Sequence, residues 1–207
     1  MPATMSAMVE TRRPVDARSV AELVAAGGPV KFLHFWGHRP HPSGEVSASC
    51  LSQWWPAAFT VDGVSYPTAE HYMMAGKARL FGDREALDRI LTAGHPRDAK
   101  ALGRRGRGFE QAAWEAARFG IVVRGSLAKF GQSAELEAFL LGTRNRVLAE
   151  ASPRDRVWGI GLSAGEEAAG DPARWCGLNL LGFALMEARA LLAADGTSGS
   201  AVEQSHS

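Results

Sequence analysis

Two side chains that can move protons sit where a helix normally carries apolar ones. In the stretch YPTAEHYMMAGKARLFGD, Tyr66 to Asp83, the residues Glu70, Met73, Met74 and Lys77 recur at i, i+3, i+4 and i+7. That spacing is the stripe a helix turns toward a core. Here it begins with a carboxylate and ends with an amine. Tyr72, Ala75 and Ala78 make the flanks apolar or small as well, and a helix apolar nearly all round is a buried one. An isolated buried charge is costly, so each end needs a partner. Two turns of rise, about 10 Å, keep the two from meeting each other. Two readings stand. Either each side chain snorkels or finds a partner elsewhere, or both project into a polar cavity. In such a cavity a desolvated lysine serves as nucleophile or base, and a carboxylate as acid or base. Glu70 lies in the first helical turn, where the helix dipole favours its ionised form.

Other segments carry chemistry more weakly. SPRDRVWGIG, Ser152 to Gly161, sets Asp155 three residues before Trp158, with glycines that let backbone approach a ligand. Trp158 is suited to stacking on a flat ring, or to covering a tight turn. LGRRGRGF places Arg104, Arg105 and Arg107 among glycines, as a phosphate receiver or a solvated loop. It lacks the Lys and hydroxyl that end a Walker A loop. His38 and His41 have ligand-like spacing but no acidic or thiol company, so no metal is expected. Neither a Gly-x-Ser-x-Gly elbow nor a Cys/His nucleophile arrangement is present. Asn179 reads as a helix cap, or as an amide that meets a ligand at a helix start.

The elements that must position these residues are legible in part. VKFLHFW, Val30 to Trp36, reads as a strand. Asp62-Gly63 between AAFTV and VSY marks a hairpin. Thr68 after Pro67 caps the helix that carries Glu70 and Lys77. REALDRILTAG is a second helix, and HPRDAKALGRRGRGF a basic, glycine-interrupted connector with room for one short helix. EQAAWEAARFGIVVRGSLAKF is a long helix bearing Trp114, and SAELEAFLLGT a shorter one capped by Ser133. RVWGIGL is a short strand or loop, and NLLGFALMEARALLA the final helix, capped by Asn179. The expectation is a helix-rich α+β fold with about six helices and three or four short strands, and no βαβα alternation. Residues 1–28 form a partly ordered extension, 29–194 one domain, and 195–207 a disordered tail.

Bulk properties exclude little else. The chain has 207 residues, 46% hydrophobic and 22% charged, enough for one domain with a real core. A formal net charge of +1 gives no global argument for a polyanion partner. Cys50 and Cys176 read as free thiols in a reducing compartment. With no signal-like h-region and no uninterrupted apolar run of membrane length, the expected location is cytoplasmic, with no membrane partner.

Taken in order, LSQWWPAAFTVDGVSYPTAEHYMMAGKA, Gly103-Arg104, Trp114, AKFGQSAELEAFLLGT, WGIG and NLLGFALMEAR strongly resemble the NADAR, or YbiA-like, family from about Phe32 to Leu192. The resemblance implies a helix-rich α+β N-glycosidase without metal or cofactor. Its implied substrates are small and nucleotide-like. They are phosphorylated ribosylaminopyrimidine intermediates of riboflavin biosynthesis, or ADP-ribose linked to guanine, the latter also within nucleic acid. A non-catalytic ADP-ribose-binding module is the alternative. Carried over, Glu70, Lys77 and Asp155 are the implied catalytic groups. Phe35, Trp36, Arg104, Trp114, Trp158, Gly159 and Asn179 are the implied substrate contacts. Some relatives carry an acidic residue where this chain has Ile160, and some carry Asn-Phe where it has Gln53-Trp54. Both departures bear on substrate identity rather than on reaction class. Neither the resemblance nor the composition sets an oligomeric state.

Overall fold

The computed structural model describes residues 15–203, with side chains to 195. Among them are seven α-helices and four short strands, an α+β arrangement. The helices are α1 (Ala17–Ala25), α2 (Ala69–Leu80), α3 (Arg84–Leu91), α4 (Pro96–Arg104), α5 (Gln111–Gly131), α6 (Ala134–Gly142) and α7 (Leu180–Glu203). The strands are β1 (Phe32–Phe35), β2 (Phe59–Val61), β3 (Val64–Tyr66) and β4 (Val147–Glu150).

Local chemistry explains the starts. Thr68 accepts from the His71 N–H and so caps α2. His71 Nε2 lies 3.0 Å from the Ala93 carbonyl, and Nδ1 lies 2.8 Å from the Thr68 hydroxyl. A neutral ring meets both, donating to the first and accepting from the second, and burial pushes its pKa down. Glu110 caps α5 through the N–H groups of Ala112 and Ala113, and Ser133 caps α6. The hairpin turns at Asp62 and Gly63, both at positive φ (51° and 76°), as a tight β2–β3 connection requires.

α2 is the central element. It packs on α3, α4 and α5, and eight of its residues are buried, from Ala69 through Ala75 and Ala78. α4 comes in close because Gly103 has no side chain; a Cβ there would collide with Met74 Sδ. α7 packs on α5 and on β4. β4 in turn runs parallel to β1, in the register Phe32↔Val147 through Phe35↔Glu150.

Three stretches take a definite form here. The basic connector is largely the helix α4, started by Pro96 at its first position with His95 as cap. RVWGIGL is a loop, the second of its two sequence readings. Its Gly159 lies against the Glu150 carbonyl, where a Cβ would come within 2.8 Å, so the loop folds over the end of β4 instead of pairing along it. The strand is VLAE, β4 itself. The backbone of 195–203 continues α7, although Gly196 and Gly199 favour helix poorly. The expectations for 1–14 and 204–207 lie outside the described residues. Cys50 is buried, Cys176 exposed, and the two are not bonded. No helix among the described residues is long and apolar enough to cross a membrane.

Candidate active site

The charged stripe of α2 faces a cleft made of two adjoining chambers. The smaller, about 300 Å³, is lined by Glu70, Lys77, Arg104, Arg118, Trp114 and Trp158 among others. The larger, about 600 Å³, is lined by Trp36, His38, Ser49, Ser52, Trp54 and Glu150 among others. Lys100 and Asp155 line both, so the chambers meet at that pair. α2 supplies Glu70 and Lys77, α4 supplies Lys100 and Arg104, and the start of α5 supplies Trp114. The loop after β4 supplies Asp155 and Trp158.

Glu70 is 2% exposed. Its Oε2 accepts a hydrogen bond from Trp54 Nε1 at 3.2 Å, and its Oε1 is buried with no partner. Burial pushes its carboxyl up to about 7. Lys100, the Trp54 bond and Arg104 pull down, and Asp155 pushes up. A carboxyl poised there can hold or release a proton near neutrality. Lys77 answers the other half of the sequence puzzle. Its Nζ lies 4.2 Å from the Phe109 ring centroid and 5.5 Å from that of Trp114, so aromatic faces take the place of a carboxylate partner. Burial lowers its pKa, and the nearby Arg104 adds to that. The two ends of the stripe thus have separate partners in one cavity.

Asp155 is held by its own loop. Its Oδ1 accepts from the N–H groups of Val157 (3.0 Å) and Trp158 (2.7 Å), an Asx turn that fixes Trp158 on the cleft wall. On the opposite side, Lys129 of α5 is 2% exposed and donates from Nζ to the carbonyls of Cys50 (2.6 Å) and Ser52 (2.8 Å). It pins the segment that carries Ser49, Ser52 and Trp54, and burial drives its amine down to about 7.

Of the residues named from sequence, Glu70, Lys77, Asp155, Arg104, Trp114 and Trp158 come together here. Trp36 stands at the rim of the larger chamber, 69% exposed. Three do not face the cleft. Phe35 is buried in the core. Gly159 makes its close approach to the Glu150 carbonyl rather than to a ligand. Asn179 is completely buried at φ 52°. Its Oδ1 accepts from the Glu150 N–H (3.0 Å), and its Nδ2 donates to the Leu148 carbonyl (2.9 Å). It stands at the start of α7, where its carbonyl accepts the Phe183 N–H, but its amide braces β4 and caps nothing.

That brace holds a residue the sequence did not announce. Glu150 ends β4 and lines the larger chamber. Burial pushes its carboxyl up to about 8; Asp155 adds to this, Lys100 opposes it, and Glu70 adds again. Lys100 was missed with it. Once α4 is a helix, Lys100 and Arg104 share a face at i, i+4, a signal hidden while the stretch read as a connector. Trp54, named only as a departure from relatives, proves to be the donor to Glu70. Among the described residues, no group of three His, Cys, Asp or Glu side chains is placed to hold a metal ion.

Comparison with known proteins fits this arrangement. The NADAR domain matches residues 34–193. N-glycosidase R617 of Acanthamoeba polyphaga mimivirus is 39% identical over 164 residues, 77% of this chain and 95% of that protein. N-glycosidase YbiA of Escherichia coli is 34% identical over 139 residues, 67% of this chain and 77% of that protein. The NMR structure of E. coli YbiA superposes with a TM-score of 0.62 at 27% identity, covering 82% of this chain and 90% of that one.

Proposed function

Because the chain belongs to the NADAR domain family, we propose that its cleft hydrolyses the N-glycosidic bond between C1 of a phosphorylated ribose and a nitrogen borne by a flat heterocycle. It is an N-glycosidase, as are the relatives that it matches over most of their length. The observation that carries the site assignment is the buried, half-unpaired carboxyl of Glu70 beside the junction of two chambers of different character. A carboxylate oxygen left without a donor inside a fold is a cost that a bound cation or developing positive charge would remove.

The smaller chamber suits the sugar phosphate. Lys77, Arg104 and Arg118 offer it cationic donors, and Trp114 and Trp158 offer flat faces. The larger chamber suits the leaving base, between Trp36, His38 and Trp54. C1 then sits near Lys100 and Asp155. As the C1–N bond lengthens, positive charge grows on the sugar, and the Glu70 carboxylate stabilises it or activates a water. Lys77 opens a second route. Ribosylamines open to imines, and a lysine with a lowered pKa attacks C1 as a neutral amine, displacing the base-borne amine and forming a Schiff base.

The two substrate classes we propose are phosphorylated ribosylaminopyrimidines and guanine-linked ADP-ribose. Incubating the protein with each, and reading released base by mass spectrometry, separates them. Binding without product would return the cleft to a nucleotide-binding module. Borohydride added during turnover traps a covalent adduct on the native chain and none on Lys77→Ala. A chain that turns over but never traps rules out the Schiff-base route.

A further inference from the structure

Three carboxyls meet around the chamber junction, and their surroundings differ. Asp155 accepts two backbone N–H bonds, and Glu70 accepts one bond from an indole N–H. Glu150 presents a buried Oε2 without any hydrogen-bond partner. The charged and titratable groups that face it are Lys100 from α4, Asp155 from the following loop, Glu70 from α2, and His38 and Arg39 from the segment after β1. A carboxyl inside a fold stays ionised where donors point at it, and keeps its proton where they do not. Its position is fixed from behind, because the Asn179 amide holds the Glu150 N–H at the end of β4. Burial and the neighbouring Asp155 push its pKa up to about 8, in the same sense as the geometry.

The geometry points to Glu150 as the general acid of the site, the group that hands its proton to the departing nitrogen in the larger chamber while Glu70 serves C1. This rests on the glycosidase reading above. In the hydrolytic route the C1–N electron pair stays with nitrogen, which takes the Glu150 proton. The water oxygen bonds to C1, and its proton goes to the Glu70 carboxylate. One water is consumed. Both carboxyls return to their starting states by exchange with solvent. In the Schiff-base route Lys77 Nζ bonds to C1 in place of water and passes a proton to the Glu70 carboxylate; water then hydrolyses the C1–Nζ imine, which frees the sugar and the lysine, and the acid step is the same. A leaving group that departs without a proton has no need of Glu150.

That asymmetry is the test. Glu150→Gln is assayed on a phosphorylated ribosylaminopyrimidine, whose amine needs a proton, and on nicotinamide mononucleotide, whose pyridinium nitrogen leaves already neutral. The expected result is a fall in kcat of about 10²-fold or more on the first, a change under about threefold on the second, and loss of the alkaline limb of the pH profile. Equal losses on both substrates, or no loss on the first, overturn the assignment. Should Glu150→Gln fail to fold, or nicotinamide mononucleotide not be cleaved, the alkaline limb decides. It must be present in the native chain with the amine-linked substrate. It must also be absent with whichever of the pyridinium ribotide or the Gln variant is measurable. A native chain that cleaves no ribosylated base at all refutes the glycosidase reading itself.

Discussion

Replacing Glu70 by Gln is expected to make the protein more stable in alkaline solution and to slow the proposed reaction. Burial raises the Glu70 carboxyl from an ordinary 4.5 to about 7. The folded value lies above the unfolded one, so between them the folded chain holds the extra proton. The favourable contribution is complete below pH 4.5 and is lost as pH rises through 7. At about 1.4 kcal/mol for each pH unit between the two values, ionised Glu70 costs about 3 kcal/mol once the pH is well above its folded value. Glutamine stays neutral and keeps an oxygen for the Trp54 N–H, so the variant escapes that cost without losing the bond. In a chain of this size each kcal/mol moves the unfolding midpoint by about 2–4 °C. Calorimetry should therefore find the variant about 6–12 °C more stable near pH 9 and nearly level with the native protein near pH 4. Part of the gain comes from Glu150, which ionises more easily once its neighbour carries no charge. Turnover should fall by about 10²-fold or more. A midpoint difference that does not change between the two pH values would show that the Glu70 carboxylate is not held out of water, and the reasoning fails.

Three more expectations follow from the same geometry. Lys129→Met leaves the Cys50 and Ser52 carbonyls without their donor, lowering stability by about 2–3 kcal/mol in urea unfolding. Because the folded amine titrates near 7, below its ordinary 10.5, the unfolded chain binds more protons across that window. Native stability therefore rises there, and the deficit of the variant should widen from about pH 7 to pH 10. Asn179→Ala removes both bonds to β4 and places a Cβ-bearing residue without an amide at φ 52°. It should cost about 3 kcal/mol by thermal unfolding, and an unchanged midpoint would dismiss the brace. Arg104→Ala should raise KM about 10–100-fold for a 5-phosphorylated riboside and leave KM for the unphosphorylated riboside nearly alone. Equal effects on the two would remove phosphate from the smaller chamber.

What the sequence disclosed depends on how local each cause is. The start of α2 was legible because Thr68 and the apolar run after it lie within a few residues of each other, and the hairpin because Asp62 and Gly63 alone set its turn. The odd charges at Glu70 and Lys77 were visible because helical period puts them on a known face. β4 is four residues long, buried on nearly every side, and paired to a strand at the far end of the chain. Nothing nearby in sequence reports that pairing. Glu150 was hidden with it, a single acidic residue at the end of an unrecognised strand. The short apolar run VLA stopping at a carboxylate before Pro153 was the only local trace. α4 was obscured by glycines that read as loop signals, of which Gly103 admits the close approach to Met74 inside the helix. Asn179 and Gly159 each lie against the backbone of β4, a contact across the fold that no local signal in the sequence reports.

The Asn179 brace has a consequence for how the protein comes into being. β1 emerges early in synthesis, and its partner β4 only after α2 through α6 have been made. Glu150 is then still unanchored, because the amide that holds it belongs to residue 179, at the head of the last helix. A nascent or truncated chain that stops short of α7 therefore has its lysine and tryptophans but no aligned second carboxyl. Activity should switch on late, when α7 docks on α5 and β4, and long-range closure of this kind is slow compared with helix formation.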